Sequence, residues 1–285
     1  MKFTVSILVS LCLSLLAEGQ SNIVYGSNNG TYFSIFNTKI YYEEYGKGTP
    51  LLLLQGGMGS IADFKLCIPE LSKRFRVILP DTPGQGRSEL ADSMSYPLLA
   101  KYMAALIDQL QLDSTYVMGW SDGGIIGLLL AEGRPDKVRK VIAVGANYNL
   151  AGTNLRNVKP TPSVEWERRN KDWIANYIKM LSRDWKKYYR DAMHMWYQPE
   201  YFSPDILKRI NIPVLIAQGD RDLIRIEHAL EMHRMIKNSQ FCVLPNTSHA
   251  VFRERPKLIN QIAVEFFSHE ASGGYRARAG GRQTA

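Results

Sequence analysis

The sequence predicts an α/β fold: a mostly parallel sheet of eight strands, helices on both faces, and a helical cap inserted after the sixth strand. Three observations carry that expectation. From Thr31 onward, short β-rich runs alternate with amphipathic stretches, the order expected of strand–helix–strand units. Several of the runs, residues 51–54 foremost, are aliphatic without interruption, as suits strands buried on both faces. Between 150 and 210 the alternation stops and aromatic residues crowd together.

Residues 31–36 and 39–44 read as an antiparallel pair turning at Asn37-Thr38. Runs at 51–54, 76–79, 115–118, 140–144, 214–217 and 241–244 supply the remaining six strands. Leu98, Met103, Leu106, Ile107 and Leu110 recur at helical spacing, as do Leu223, Ile226, Leu230 and Met235. An apolar helix is expected over 125–131 and a last one over 256–269. The interval 150–210 holds four of the five tryptophans, interleaved with Arg and Lys, and reads as a cap whose inner face lines a pocket. The core then comprises 20–149 and 211–270.

The ends differ from the body. Lys2, an apolar stretch over 3–17 and small residues at Ala17 and Gly19 match an export signal over 1–19, which predicts a periplasmic or secreted protein. That stretch is shorter than the ~20 residues of a membrane-spanning helix, so no stable membrane insertion is expected. The tail 271–285, with two Gly-Gly pairs, reads as disordered. Sequons at Asn29-Gly30-Thr31 and Asn246-Thr247-Ser248 bear on compartment, and a glycan at Asn246 would crowd His249.

Composition narrows the function. With 45% hydrophobic and 22% charged residues the chain is too apolar for disorder. Three cysteines make neither a disulfide scaffold nor a zinc site, and Cys67 and Cys242 fall in a helical and a strand segment and are not expected to pair. Of the net charge of +8, Arg276, Arg278 and Arg282 carry three in the tail, and no nucleic-acid motif accompanies the rest.

The chemistry begins at Gly119-Trp120-Ser121-Asp122-Gly123-Gly124, between the run 115–118 and the helix 125–131. A Gly-x-Ser-x-Gly on a strand–turn–helix lifts a serine hydroxyl clear of the sheet, at the positive end of a helix. Such a serine needs a base and a group to orient it. The run 214–217 is followed by Asp220 and Asp222, and the run 241–244 by His249, giving the chain order Ser, Asp, His. His228 and His233 fall on a helix and His269 near the terminus, where solvated histidines are expected. After 51–54 comes Gln55-Gly56-Gly57-Met58-Gly59-Ser60, whose glycines let backbone N–H groups face a reacting oxygen. The amide of Asp122 is one candidate donor; the other is Gly57 or Met58, and spacing does not choose between them.

With these pieces placed, the chain resembles the α/β-hydrolase family over about 31–269. Asp81-Thr82-Pro83-Gly84-Gln85-Gly86-Arg87-Ser88 looks like that family's Asp-x-x-Gly-x-Gly-x-Ser turn. The resemblance implies a serine esterase with a lid after the sixth strand. It also favours Asp222 over Asp220 as the triad acid, through the family spacing Gly-x-x-Asp. One departure is Gln55, where many members carry histidine. The elbow, with Gly145-Ala146-Asn147, is most similar to the valacyclovir-hydrolase branch, whose acid beside the nucleophile reads a substrate amine; the corresponding residue is Asp122.

The expectation is therefore a serine hydrolase of small-molecule carboxylic esters, with Ser121, His249 and Asp222 as triad and Gly57 or Met58 with Asp122 as oxyanion hole. No cofactor or metal is required, and nothing in the sequence specifies an oligomeric state. An aminopeptidase or aminoacyl-ester hydrolase, a cofactor-free perhydrolase and a slow ligand sensor share the same machinery.

Overall fold

The computed structural model describes Gly26, residues 29–181 and residues 184–269. The expected signal segment 1–19, with Cys12, and the tail 271–285 lie outside the described residues.

The strands are β1 (Thr31–Ile35), β2 (Thr38–Tyr45), β3 (Thr49–Leu54), β4 (Phe75–Pro80), β5 (Thr115–Trp120), β6 (Val138–Val144), β7 (Val214–Arg221) and β8 (Ser239–Ser248). They form one eight-stranded sheet in the order β1-β2-β4-β3-β5-β6-β7-β8. β2 pairs antiparallel with β1 and β4; all other neighbours are parallel. The β1–β2 turn sits one residue earlier than the sequence suggested. Phe36 and Asn37 both take positive φ, 48° and 60°, the backbone of a two-residue turn that matches strand twist. The Phe36 ring rests edge-on against Tyr102.

The helices are α1 (Ile68–Leu71), α2 (Tyr96–Gln109), α3 (Asp122–Gly133), α4 (Ser163–Arg169), α5 (Lys171–Leu181), α6 (Trp185–Trp196), α7 (Asp205–Arg209), α8 (Ile226–Met235), α9 (Val251–Glu254) and α10 (Pro256–Ser268). Alternate residues of each central strand feed separate cores, as the two-residue period of a strand requires. Leu52, Leu54, Val117, Val141 and Ile216 pack with α2, α3 and α8 on one face. Leu51, Leu53, Met118, Ile142 and Leu215 pack with α1, α9 and α10 on the other. This double burial explains why these runs read as unbroken aliphatic sequence.

The cap is narrower than the interval 150–210. Helices α4, α5 and α6 contribute a third cluster built on Ile174, Tyr177, Trp185, Tyr188, Tyr189 and Ala192. Leu207 of α7 and Ile210 belong instead to the main core, and Arg209 pairs with Glu132 of α3 at 2.8 Å. The base of the excursion is pinched: Asn149 bridges Glu200 antiparallel, and the Tyr201 amide donates to the Tyr148 carbonyl at 3.0 Å. Cys67 and Cys242 are free; burial pushes the Cys67 thiol up to about 12.

Candidate active site

Ser121 stands at the tip between β5 and α3 with φ 53° and ψ −116°, a left-handed backbone that a non-glycine residue holds only when its surroundings impose it. Its amide donates to the Val144 carbonyl at 2.8 Å, and its carbonyl accepts from Ile125 at 3.0 Å. The flanking glycines have steric causes. A Cβ on Gly119 would lie 2.1 Å from the Gly123 carbonyl oxygen, and one on Gly123 would lie 2.1 Å from that of Leu54. Gly123→Ala is therefore expected to cost about 3 kcal/mol of stability, the upper range for overpacking, measured by urea unfolding. Unchanged stability would show that α3 can move off β3.

His249 follows β8, and its Nδ1 lies 2.7 Å from Asp222 Oδ1. The same carboxylate oxygen accepts from the Ile224 amide at 2.9 Å, and the Asp222 side chain is fully enclosed. On the other side the His249 carbonyl accepts from Trp120 Nε1 at 2.7 Å, tying the histidine loop to the residue before Ser121. Asp220, the competing acid, faces elsewhere. It accepts from the Thr247 amide at 2.8 Å, and this with the Asn246 amide holds its carboxyl below the usual range, so it braces the loop that carries His249.

The glycine loop after β3 lies against the nucleophile turn: a Cβ on Gly56 would sit 3.2 Å from that of Ser121. Met58, at φ 58°, donates its amide to the Tyr188 hydroxyl at 3.0 Å. Its carbonyl accepts from Trp173 Nε1 at 2.8 Å. With the Met58 N–H engaged by the cap, Gly57 is left as the loop's candidate oxyanion donor; the sequence had held both open. Ser121, His249, Gly57 and Asp122 all line one cavity of about 420 Å³ beneath the cap.

Comparison with known proteins agrees with this architecture. The family model described as alpha/beta hydrolase fold matches residues 49–187. The chain belongs to the α/β-hydrolase family. It is 24% identical to the uncharacterized hydrolase YugF of Bacillus subtilis over 82% of this chain and 96% of that one. It is 26% identical to the human serine hydrolase BPHL, covering 82% and 84%. Its fold matches that of a meta-cleavage product hydrolase, CumD from Pseudomonas fluorescens, with TM-score 0.71 and 22% identity over 84% of this chain and 97% of that one.

Two details of this α/β hydrolase settle questions that its sequence raised. The side-chain amide of Gln55, in place of the histidine of many members, lies 2.9 Å from both the Pro80 carbonyl and the Thr82 amide, and both are satisfied when its nitrogen is assigned toward Pro80 and its oxygen toward Thr82. It thus pins the glycine loop to the end of β4. The Asp81–Ser88 turn adds a second brace: Asp81 accepts from the amides of Ile61 (2.9 Å) and Arg87 (2.8 Å), and Gln85 accepts from that of Gly59 (3.1 Å).

Nothing in the sequence marks the partners of Asp122. Its carboxylate accepts from the Tyr96 hydroxyl at 2.8 Å on one oxygen and from Trp196 Nε1 at 3.0 Å on the other. Burial pushes its carboxyl up, and the bonds from Tyr96 and Trp196 and the nearby His249 only partly offset this. Tyr201 completes the wall by packing 4.9 Å from the Tyr96 ring and donating to the Trp196 carbonyl at 2.6 Å.

His228 is a correction. The sequence suggested a solvated histidine on a helix, yet its ring is 5% exposed, stacks 4.5 Å from Tyr148 and offers Nε2 to the Tyr148 amide at 3.3 Å. Burial lowers its pKa from 6.5 to about 4. The unfolded chain takes up this proton first, so the hydrolase keeps the full contribution above pH 6.5. It then loses ~3 kcal/mol as pH falls to about 4. Urea unfolding of His228→Gln across that window should be flatter than wild type by that amount; parallel curves would refute the assignment.

Proposed function

We propose that this α/β hydrolase cleaves carboxylic esters of small to medium, largely apolar acids through an acyl-enzyme on Ser121. The observation that carries the reading is that His249, bonded to the enclosed Asp222, lines one cavity together with Ser121. His249 Nε2 takes the Ser121 proton as Oγ adds to the ester carbonyl, and Asp222 holds the ring in the tautomer that leaves Nε2 free to accept. The oxyanion is met by the amides of Gly57 and Asp122, an arrangement in which one donor is typically worth ~2.7 to 4 kcal/mol. Collapse expels the alcohol with the proton from His249. A water then adds to the acyl-enzyme, giving its proton to His249, and the second collapse returns that proton to Ser121 and frees the acid.

The wall supports the substrate class. Leu150, Leu155, Val158, Met193, Leu223 and Ile224 line the cavity and suit an apolar acyl or alcohol group. The aminoacyl-ester reading stands on Asp122 lining the same cavity, but both its oxygens already accept from side chains. A matched pair, aminoacyl ester against des-amino ester, distinguishes the two. Export to the periplasm or exterior is part of the proposal, resting on the 1–19 pattern; N-terminal sequencing of protein secreted by a bacterial host tests it.

The deciding experiment is a fluorophosphonate label read by peptide mass spectrometry, beside a p-nitrophenyl ester series of rising chain length. Label on Ser121 with sustained turnover is expected. No label and no turnover would overturn the reading in favour of ligand binding.

A further inference from the structure

The cap holds more than the rim of the cavity. Three of its aromatic side chains reach down to the two backbone segments read above as the oxyanion hole. Tyr188 accepts from the Met58 amide at 3.0 Å while Trp173 donates to the Met58 carbonyl at 2.8 Å, so both polar groups of one residue beside Gly57 are held by the cap. The Met58 side chain packs into the cap cluster as well. Trp173 and Tyr188 stack on each other with ring centroids 6.1 Å apart, and each stacks or leans on Tyr177. Tyr177 in turn donates to the Gly84 carbonyl at 2.9 Å, in the turn that braces the glycine loop from below.

Trp196, the last residue of α6, acts on the other donor. Its Nε1 donates to Asp122 Oδ2 at 3.0 Å. Its six-membered ring lies so close to Gly57 that a Cβ there would meet Cζ2 at 2.1 Å, and the same Cβ would meet Asp122 Oδ2 at 2.6 Å. One indole therefore touches both residues whose amides face the developing charge. It packs with both the cap cluster and the main core.

We propose that Tyr188, Trp173 and Trp196 are positioning residues that align the Gly57 and Asp122 amides, so that the oxyanion hole is complete only while the cap is seated. The inference rests on the serine-hydrolase reading. Its physical basis is that the loop's left-handed residue lies in no helix or strand: the Gly56–Gly59 turn bond and Gln85 hold the loop beyond it, while the amide and carbonyl of Met58 itself are bonded from the cap. A cap that merely shaped the pocket would act on substrate and transition state alike. A cap that aligns the amides acts on the tetrahedral state selectively.

The test uses Tyr188→Phe and Trp196→Phe in the full-length protein. Tyr188→Phe keeps its ring and loses only the hydroxyl, whereas Trp196→Phe loses the Nε1 donor together with part of the indole that touches Gly57. Trp173→Phe, at a half-buried position, reports on the same Met58 peptide if the buried Tyr188 variant does not fold. For each folded variant we would measure kcat and KM on one p-nitrophenyl ester. Inhibition is measured with the trifluoromethyl ketone of the same acyl group, which forms a tetrahedral adduct, and with the product acid, which does not. The expected result is about a tenfold loss in kcat and an equal weakening of the ketone, with KM and product-acid inhibition within about twofold of wild type. Equal weakening of ketone and acid, or an unchanged kcat in folded variants, would overturn the inference. A wild-type protein that resists both the ketone and the fluorophosphonate would instead overturn the hydrolase reading itself.

Discussion

Ser121→Ala is expected to reduce kcat by ~10⁶, the loss seen when the nucleophile of a serine protease is removed. The unfolding midpoint should stay near that of wild type. The separation of these effects follows from the local structure. The Ser121 backbone is held by its amide bond to Val144 and by the start of α3, not by its hydroxyl, so removing Oγ leaves the turn in place. Fluorophosphonate labelling must vanish with the activity. A variant that keeps a substantial fraction of turnover would mean that water reaches the carbonyl by another route, with His249 acting as a direct base.

The second large effect belongs to the acid. Asp222→Asn should lower kcat by ~10⁴, because an amide can present its N–H to the imidazole and stabilise the wrong tautomer. Asp220→Asn, two residues away, should keep most of the activity, since Asp220 bonds the Thr247 amide and not the histidine. It should instead make the loop more sensitive to temperature. The pH behaviour of Asp220 follows from its lowered pKa: its bracing is present at neutral pH and lost as pH falls through the folded value. Steady-state kinetics on the two variants side by side are the measurement. A ranking with Asp220→Asn the more damaged would reassign the triad acid.

Much of this site was legible from sequence because its members sit at strand ends. A buried strand announces itself by an aliphatic run, and the residue that follows must stand at the sheet's carboxyl edge. Ser121, Asp222 and His249 could therefore be found without knowing how the helices pack. The choice between Asp220 and Asp222 needed the resemblance, since the two stand two residues apart at the end of β7 and only side-chain direction separates them. β8 was harder to delimit. It runs on through Pro245, Asn246, Thr247 and Ser248, and these polar residues carry no strand signal because this edge of the sheet is half open to solvent.

What stayed hidden depends on contacts between distant segments. Tyr96 and Trp196 meet at Asp122 from 26 residues before it and 74 after it, and nothing in local periodicity marks either. The preference for Gly57 over Met58 depends on a hydroxyl 130 residues further along. His228 was misread for a related reason. Its helix is amphipathic, but the buried stripe is wide enough to take in one titratable ring, which the Tyr148 amide satisfies.

The pinched base of the excursion has a consequence for how this scaffold diversifies. Because Asn149 and Glu200 sit side by side, the intervening fifty residues can be exchanged as a cassette without altering strand order. A foreign cassette would bring its own selectivity. To preserve turnover it would also need an acceptor and a donor for the Met58 peptide and a donor for Asp122. Chimeras that exchange the excursion but keep Trp173, Tyr188 and Trp196 should inherit a new substrate range with the old rate, whereas wholesale grafts should inherit both together.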